Sequence, residues 1–416
     1  MVELARRKVQ GYVRRRPAHR SPSYTVATIL TVNGGSSSIR FAVFELSTPP
    51  RRVLEGKVER LGSAQATLQA GAPGETATSR SLGSDSAVEA IAGWLKTRPE
   101  AARIDVIGHR IVHGMRRMQP AQVTPQILTE LKAIVRFDPE HLPSELDLIA
   151  QLSARYPGVP QVICFDTAFH QHLPREATLL PIPRRYDEQG VRRYGFHGLS
   201  YTFLLGELDR LGDKAAHSGR VILAHLGSGA SMAAVQDGRC VDTTMGFTPT
   251  GGLVMGTRTG DLDPGVVTFL SRELQDDADQ LSRLLNHDSG LKGLSDSSAD
   301  VRDLLQHEQE DPRAREALAV FCRQARKWIG ALAAVLGGLD TLVFAGGIGE
   351  NAPQIRARIC HHLEFLGIEL DAARNCADSP SVISSAGARV MVRVIHTDEE
   401  SVIATQSAQL LNLHST

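Results

Sequence analysis

Three stretches hold residue types that could handle a phosphoryl group. The turn Asn33-Gly34-Gly35-Ser36-Ser37-Ser38 offers glycines that let a backbone come close, N–H groups and short hydroxyls, and Arg40 adds a fixed positive charge just beyond it. Such a turn also fits an ordinary hairpin. Asp166 closes the apolar run 161–166 and opens the polar stretch Asp166-Thr167-Ala168-Phe169-His170-Gln171-His172, with RRYGFHGLS following at 192–200. An Asp at the end of a buried strand either caps a helix or serves a nucleophile, by aligning it, deprotonating it or acting through a metal. His197, between Phe196 and Gly198, is either a core histidine or a hydrogen-bond donor facing a cleft. Arg258 stands among Thr and Gly in the stretch 242–264, where neither helical nor strand periodicity lasts more than a few residues. So irregular a stretch suggests a functional loop, and a guanidinium held there suits charge stabilisation of a transferring phosphoryl group.

Strands and turns must present these groups. Residues 27–46, ATILTVNGGSSSIRFAVFEL, read as a strand, a tight turn and a returning strand. The pattern returns 193 positions later, where Ile222 to Met232 falls on Ile29 to Ile39 with Ile, Leu, Gly and Ser matching at four places. A second pair, QVICFDTAFH at 161–170 and TLVFAGGIGE at 341–350, puts a short apolar strand before a small polar or Gly-rich turn in each half. So long a period implies two copies of a half-domain facing one cleft. Further strands are expected at 53–61 and at 105–114, which ends in Arg110 and His113, and a loop with one edge strand at 62–83. Helices are expected at 85–97 with Asp85 as cap, at 124–136 capped by Thr124, and at 144–155 capped by Ser144. Alternating strands and helices make this an α/β fold.

Forty-six basic residues balance forty-six acidic ones, which leaves no field for general nucleic-acid binding. Apolar residues make up 42% and charged residues 22%, a globular composition, and 416 residues predict two or three domains. The run 329–349 is interrupted by Asp340 and several glycines, so it reads as a helix end followed by a strand, and no membrane span is expected. Five scattered cysteines, Cys164, Cys240, Cys322, Cys360 and Cys376, with no C-x-x-C pair, suggest a reduced, cytoplasmic protein without structural zinc. Residues 1–20 carry seven Arg or Lys against one Glu, and 1–24 read as a basic, disordered extension rather than a secretory signal. A targeting peptide or an upstream start codon are the other readings of that segment. No G-x-x-x-x-G-K-[ST] occurs, which excludes a P-loop kinase.

The segments VNGGSSSIRF, GHRIVHG, FDTAFHQHLP, RRYGFHG, HLGSGAS, DTTMGFTPTGGLVMGTRTGDLDP, FAGGIGEN and HTDEESVIA follow in that order over nearly the whole chain. Together they resemble the motifs of the acetate kinase family, within the acetate and sugar kinase, heat-shock protein and actin superfamily. The resemblance implies duplicated ribonuclease H-like (actin-like ATPase) domains with a cleft between them. The first would be 25–167 plus about 397–416, and the second, nucleotide-binding one 168–396. It also implies reversible transfer of the ATP γ-phosphoryl group to a short carboxylate, with Mg²⁺ (or Mn²⁺) and ATP or ADP bound, by a homodimer.

Carried over by position, Asn33 and Glu399 would support the metal and Arg40 would face the phosphates. Arg110 would hold the carboxylate, Val112, Phe196 and Pro249 would belong to the pocket for its methyl group, and His141 would join them in binding the substrate. Asp166 would orient or assist the attacking oxygen, and His197 and Arg258 would stabilise the transferring group. His225, Leu226, Gly227, Ser228, Gly229, Asp300, Val301, Arg302, Gly347, Ile348, Gly349, Glu350 and Asn351 would line the nucleotide site.

Several residues depart from the family pattern. Arg40 stands for Lys, Ser228 for Asn, Asp398 for Asn, Leu199 for Thr, Tyr201 for His and Met115 for Gly. In DPEHLP at 138–143, Glu140 replaces an apolar residue and Leu142 replaces Asn. A carboxylate beside the methyl pocket is costly unless it turns outward or pairs with a cation. The resemblance implies acetate as the substrate, and Glu140 is the reason that propionate or another small acid stands as the alternative. A non-catalytic nucleotide-binding switch on the same fold is the alternative from a different class.

Overall fold

Along Thr28–Gly34 (β1) successive side chains turn to opposite faces. Leu30 and Val32 join Ile91, Trp94, Ile107 and Leu148, while Ile29 joins Val106, Val162 and Ile403. A strand buried on both faces belongs inside a sheet covered on both sides. In the computed structural model, which describes residues 26–35, 38–378 and 381–413, β1 occupies that place. The basic extension 1–24, and Ser36 and Ser37 of the first turn, lie outside the described residues.

The remaining strands of this sheet are Ser38–Glu45 (β2), Arg51–Glu59 (β3), Thr67–Gly71 (β4), Thr78–Ser81 (β5), Val106–Ile111 (β6), Ala121–Gln122 (β7) and Gln161–Phe165 (β8). Their order is β5-β4-β3-β2-β1-β6-β8-β7, with β1, β6 and β8 mutually parallel. A second sheet contains Arg220–Leu226 (β9), Ala230–Gln236 (β10), Arg239–Thr243 (β11), Thr341–Ala345 (β12) and Met391–Val394 (β13), in the order β11-β10-β9-β12-β13. The series β3-β2-β1-β6-β8 and β11-β10-β9-β12-β13 are the same arrangement, so the duplication read from the two hairpins is present in the fold.

One pairing in that reading is corrected. β12 lies beside β9 as β6 lies beside β1, so the counterpart of 341–345 is 106–111, and the counterpart of 161–165 is 391–394. Both β8 and β12 are five-residue strands buried throughout, and burial alone does not say which neighbour a strand takes.

Three local boundaries also move. Ser86, not Asp85, caps the helix Ala87–Leu95, through a capping box with Glu89. The next-but-one helix, Leu142–Arg155, starts at His141 instead of Ser144. The segment 62–83 contains two strands, β4 and β5, not one. Thr124 caps its helix as expected. The run ending at Leu336 closes on Gly337, whose φ of 67° is the left-handed conformation favoured at a helix C-terminus, before β12 begins.

Two helices join the sheets. Gly198–Arg210 packs against β8 and β9, and Glu399–Leu410 leaves β13 and lies across β1, β6 and β8. Gly108 in GHRIVHG makes this second crossing feasible: a Cβ there would stand 2.5 Å from Ile403 and 2.6 Å from the Ser407 hydroxyl. The close approach sets Glu399, the first residue of that helix, over the end of β1.

Candidate active site

In open α/β sheets, ligands gather beyond the carboxyl ends of the parallel strands. Asn33 sits near the end of β1, Arg110 near the end of β6, and Asp166 just past β8. On the other sheet, His225 and Leu226 end β9, the helix Gly346–Asn351 starts at the end of β12, and Glu399 follows β13. The predicted residues are thus distributed over six strand ends.

Hydrogen bonds tie the first group together. Arg110 Nε and Nη2 both donate to Asp166 Oδ2, at 3.0 and 2.6 Å, and Nη1 reaches Asn33 Oδ1 at 3.4 Å. Asn33 Nδ2 donates to Glu399 Oε2 at 2.8 Å. Asp166 is fully buried and its Oδ1 has no partner, so this Asp is not a helix cap but half of an ion pair with one oxygen left over. Burial works against the Arg110 charge, but Asp166 and then Glu399 overcome it and hold the guanidinium firmly protonated. Burial also pushes the Glu399 carboxyl up, with Arg110 opposing the shift.

His197 caps the helix Gly198–Arg210 with φ 58°, and its ring stacks on His225 at 4.3 Å between centroids. Burial holds its pKa well below the ordinary histidine value, helped by the fields of His225, Arg110, Arg258 and His170. Burial likewise lowers His225 to about 4. A Cβ added at Gly229 would lie 3.4 Å from His197 Nε2 and 3.6 Å from Arg258 Nη1, so the β9–β10 turn, the imidazole and the guanidinium converge. Arg258 Nη1 donates to the Pro249 carbonyl at 3.1 Å, and Nη2 lies 3.5 Å from His141 Nε2. Desolvation lowers the Arg258 pKa, and the Arg110 charge lowers it further, so the two guanidinium groups share one field. Arg193 positions the loop that carries Arg258, donating to the carbonyls of Thr243, Thr244 and Met245.

A cavity of about 110 Å³ is lined by Phe137, Glu140, His141, Pro249, Arg258 and His287, among others. Val112 and Phe196 lie in a buried apolar cluster, and the edge-to-face chain Phe196–His113–Tyr194 joins them to Phe247, which contacts the cavity-lining Phe137. Glu140 does turn to a partner: Oε1 accepts from Ser282 at 3.3 Å and Oε2 pairs with His287 at 2.9 Å, both on the helix Ala278–His287. Asp398 also turns away from the Glu399 carboxylate, capping its helix through the Ser401 N–H and pairing with Arg52 at 2.5 Å. Met115 sits at φ 52°, a left-handed conformation costly for a residue with a side chain.

The predicted nucleotide residues also assemble. Gly346 packs on Leu226 so closely that a Cβ would sit 2.8 Å from its carbonyl, and Gly227 faces the Gly347 N–H. Gly256 donates to the Ser228 carbonyl at 3.0 Å and lies against Ala299, which brings 299–302 to the same turn. Asp300 caps the helix Val301–His307 and pairs with Arg302, Val301 is buried, and the Arg302 side chain is 85% exposed. Glu350 accepts from the Gly346 and Thr397 N–H groups, and Asn351 donates to the Gly347 carbonyl; Ile348 and Gly349 lie between them. Arg40 pairs in register with Asn33 across β1–β2, and its field reaches His225 and Glu399.

Sequence reasoning missed Glu145, Ser200, Ser231 and Thr397. Glu145 accepts the Val112 N–H, and burial raises its carboxyl well above the usual range. The three hydroxyl groups bond His197 or His225 or each other. Ser231 alone carried a signal, as the serine that falls on Ser38 in the repeated hairpin.

Among the described residues, no group of three or more His, Cys, Asp or Glu side chains is arranged to hold a metal alone, and no helix is long and apolar enough to cross a membrane. The family model described as Acetokinase family matches residues 28–405. An acetate kinase of Rhodopseudomonas palustris is 43% identical over 385 residues, 90% of this chain and 96% of that protein. Two solved structures each cover 92% of this chain. Acetate kinase from Porphyromonas gingivalis is 34% identical, with a TM-score of 0.82 and its whole length covered. A propionate kinase from Francisella tularensis is 33% identical, with a TM-score of 0.85 and 99% of its length covered.

Proposed function

The chain belongs to the acetokinase family, and from that premise we propose that it transfers the γ-phosphoryl group of ATP to a short carboxylate, acetate first, and back from the acyl phosphate to ADP. The observation that carries this reading is the convergence of Arg110 on Asp166 with His197 and Arg258 beyond the ends of strands from both sheets.

A carboxylate substrate is ionised at neutral pH, so no general base has to remove a proton from it. What remains is positioning and charge neutralisation. Arg110 holds the substrate carboxylate, and Asp166 fixes the Arg110 fork. One carboxylate oxygen forms a bond to the γ-phosphorus as the bond from that phosphorus to the β,γ-bridging oxygen breaks, and ADP leaves. Arg258 and neutral His197 donate to the phosphoryl oxygens, where charge is greatest in transit. Val112, His141, Phe196 and Pro249 surround the acyl group. The turn 225–229 and the segments 300–302 and 347–351, with Arg40, hold the nucleotide.

Mg²⁺ fits this site as a shared ligand of protein and phosphates, since it is commonly held by one or two carboxylates plus substrate oxygens. Glu399 and Asn33 would hold it, and the unpartnered Asp166 Oδ1 leaves acceptor capacity beside them. It would neutralise charge on the phosphate chain. The two lobes, 25–167 plus 397–416 and 168–396, would close on ATP. A homodimer in the cytoplasm completes the proposal, and five free cysteines suit a reducing compartment.

Propionate is the second reading, favoured by the likeness to the Francisella tularensis propionate kinase. The test is hydroxamate formation with ATP and Mg²⁺ across acetate, propionate, butyrate and glycolate. Acetate is expected to give the highest kcat/KM. Equal silence on all four acids sinks the kinase reading.

A further inference from the structure

Burial first, and then the fields of the stacked His225 on β9, Arg110 on β6, Arg258 on the loop and His170 after β8, keep His197 neutral at neutral pH. A neutral imidazole has one N–H and one lone pair, and which nitrogen carries the proton decides what the ring offers a phosphoryl oxygen. A proton on Nε2 gives a donor there; a proton on Nδ1 leaves a lone pair pointing at negative charge.

We propose that Tyr201 and Ser231 are positioning residues that lock His197 in the Nε2–H form, so that it meets the transferring phosphoryl group as a hydrogen-bond donor. This rests on the kinase reading above for its purpose, though the tautomer is a property of the resting protein. His197 Nδ1 lies 2.8 Å from Ser231 Oγ, and Ser231 Oγ lies 2.5 Å from the Tyr201 hydroxyl. Tyr201 and Ser231 are both fully buried, so bulk water cannot reassign these bonds.

The proton order follows from counting donors. The hydrogen-bond partner that the structure gives the Tyr201 hydroxyl is Ser231 Oγ. The phenol proton therefore goes to Ser231 Oγ. A serine hydroxyl has one hydrogen, and with a lone pair taken by Tyr201 it donates to His197 Nδ1. The reverse order would leave the Tyr201 proton without the acceptor it has in Ser231, among Phe169, His170 and the Leu204–Val235–Cys240 cluster.

The geometry holds this chain in place. Tyr201 sits one helical turn after His197, its N–H bonded to the His197 carbonyl at 3.0 Å, so both side chains leave the same face of Gly198–Arg210. Ser231 pairs in register with His225, which puts its hydroxyl beside the stacked rings. His225 has a similar arrangement, with Nδ1 at 2.8 Å from Ser200 Oγ, itself 2.8 Å from Thr397 Oγ1.

Histidine-selective ¹⁵N labelling tests the lock, with His197→Gln identifying the resonance. The wild-type protein should show a protonated Nε2 and a bare Nδ1 at neutral pH. Tyr201→Phe and Ser231→Ala should mix the tautomers and lower kcat by about 10- to 100-fold, the usual cost of losing a ligand-orienting partner. KM for the carboxylate should stay within about twofold, and Ser231→Thr, which keeps the hydroxyl, should restore the rate. A proton on Nδ1 in the wild type, or an unchanged kcat in both Tyr201→Phe and Ser231→Ala, overturns the inference. If the wild type phosphorylates none of the four acids, the kinase reading has failed, and the ¹⁵N signature still decides the tautomer.

Discussion

Replacing Arg110 by methionine separates what the ion pair does for the fold from what it does for the reaction. Asp166 is fully buried, and both bonds to its Oδ2 come from Arg110. In Arg110→Met the carboxylate keeps its burial and loses its cation, with Glu145 and Glu399 close by to repel it. Stranding one partner of a buried pair costs about 3–5 kcal/mol, and the neighbouring carboxylates place this case toward the upper part of that range. The double variant Arg110→Met/Asp166→Asn removes both charges and should recover all but about 1–2 kcal/mol of the loss. Equilibrium urea denaturation reads the difference as a shift of the midpoint. Activity should not recover with stability. On the role proposed for Arg110, the substrate carboxylate would lose a charge-assisted hydrogen bond worth about 1.5–3 kcal/mol, which lowers kcat/KM by about 10- to 10²-fold in both variants. If the single variant costs less than about 1 kcal/mol, Asp166 has another partner. A double variant with near-wild-type turnover would remove Arg110 and Asp166 from the mechanism.

The remaining predictions concern the acyl pocket and acid. Glu140→Leu should change stability by under about 1 kcal/mol, because the Glu140–His287 pair is partly exposed, at 33% and 50%. Since its carboxylate is already occupied by Ser282 and His287, the ratio of acetate to glycolate turnover should move by less than about twofold; a tenfold change would mean that Glu140 reads the substrate. Burial lowers His109, His113 and His170 from 6.5 to about 4. The unfolded chain therefore takes up protons that the folded one refuses. The stability these neutral rings contribute is intact above pH 6.5 and is lost as pH falls toward 4, at about 2 kcal/mol for each ring by pH 5. Three such losses rival the typical stability of a domain, so near-UV circular dichroism should show cooperative unfolding between about pH 5 and 4. A full signature at pH 4 would contradict neutral burial.

The duplicated hairpins were legible because a Gly/Ser turn between two apolar β-branched runs is a local signal, and both copies carry it. Arg110, Asp166, His197 and Arg258 stood out by position: Arg110 and Asp166 at the ends of apolar strands, His197 beside glycines and arginines, and Arg258 in a Gly- and Thr-rich loop. What stayed hidden depends on neighbours distant in sequence. The counterpart of 161–165 turned out to be 391–394, since hydrogen bonding to β6 and β12 decides it and an apolar five-residue run carries no record of those bonds. Glu140 read as a threat to the acyl pocket until its partners appeared on a helix about 140 positions away.

Ser231 and Tyr201 show the same limit at the scale of single protons. In the sequence, one is a small residue in a strand and the other an aromatic in a helix, each explained well enough as core. Only the fold puts the serine hydroxyl between the phenol and His197. Burial then removes the water that would otherwise let the histidine choose its tautomer. The residues proposed to touch substrate stand out in the sequence against their surroundings. The residues proposed to fix how those groups present themselves lie buried in the core, where a positioning hydroxyl has no competing water. A buried serine or tyrosine whose hydroxyl ends on a half-buried histidine is therefore worth more attention in this fold than its own neighbourhood in sequence suggests.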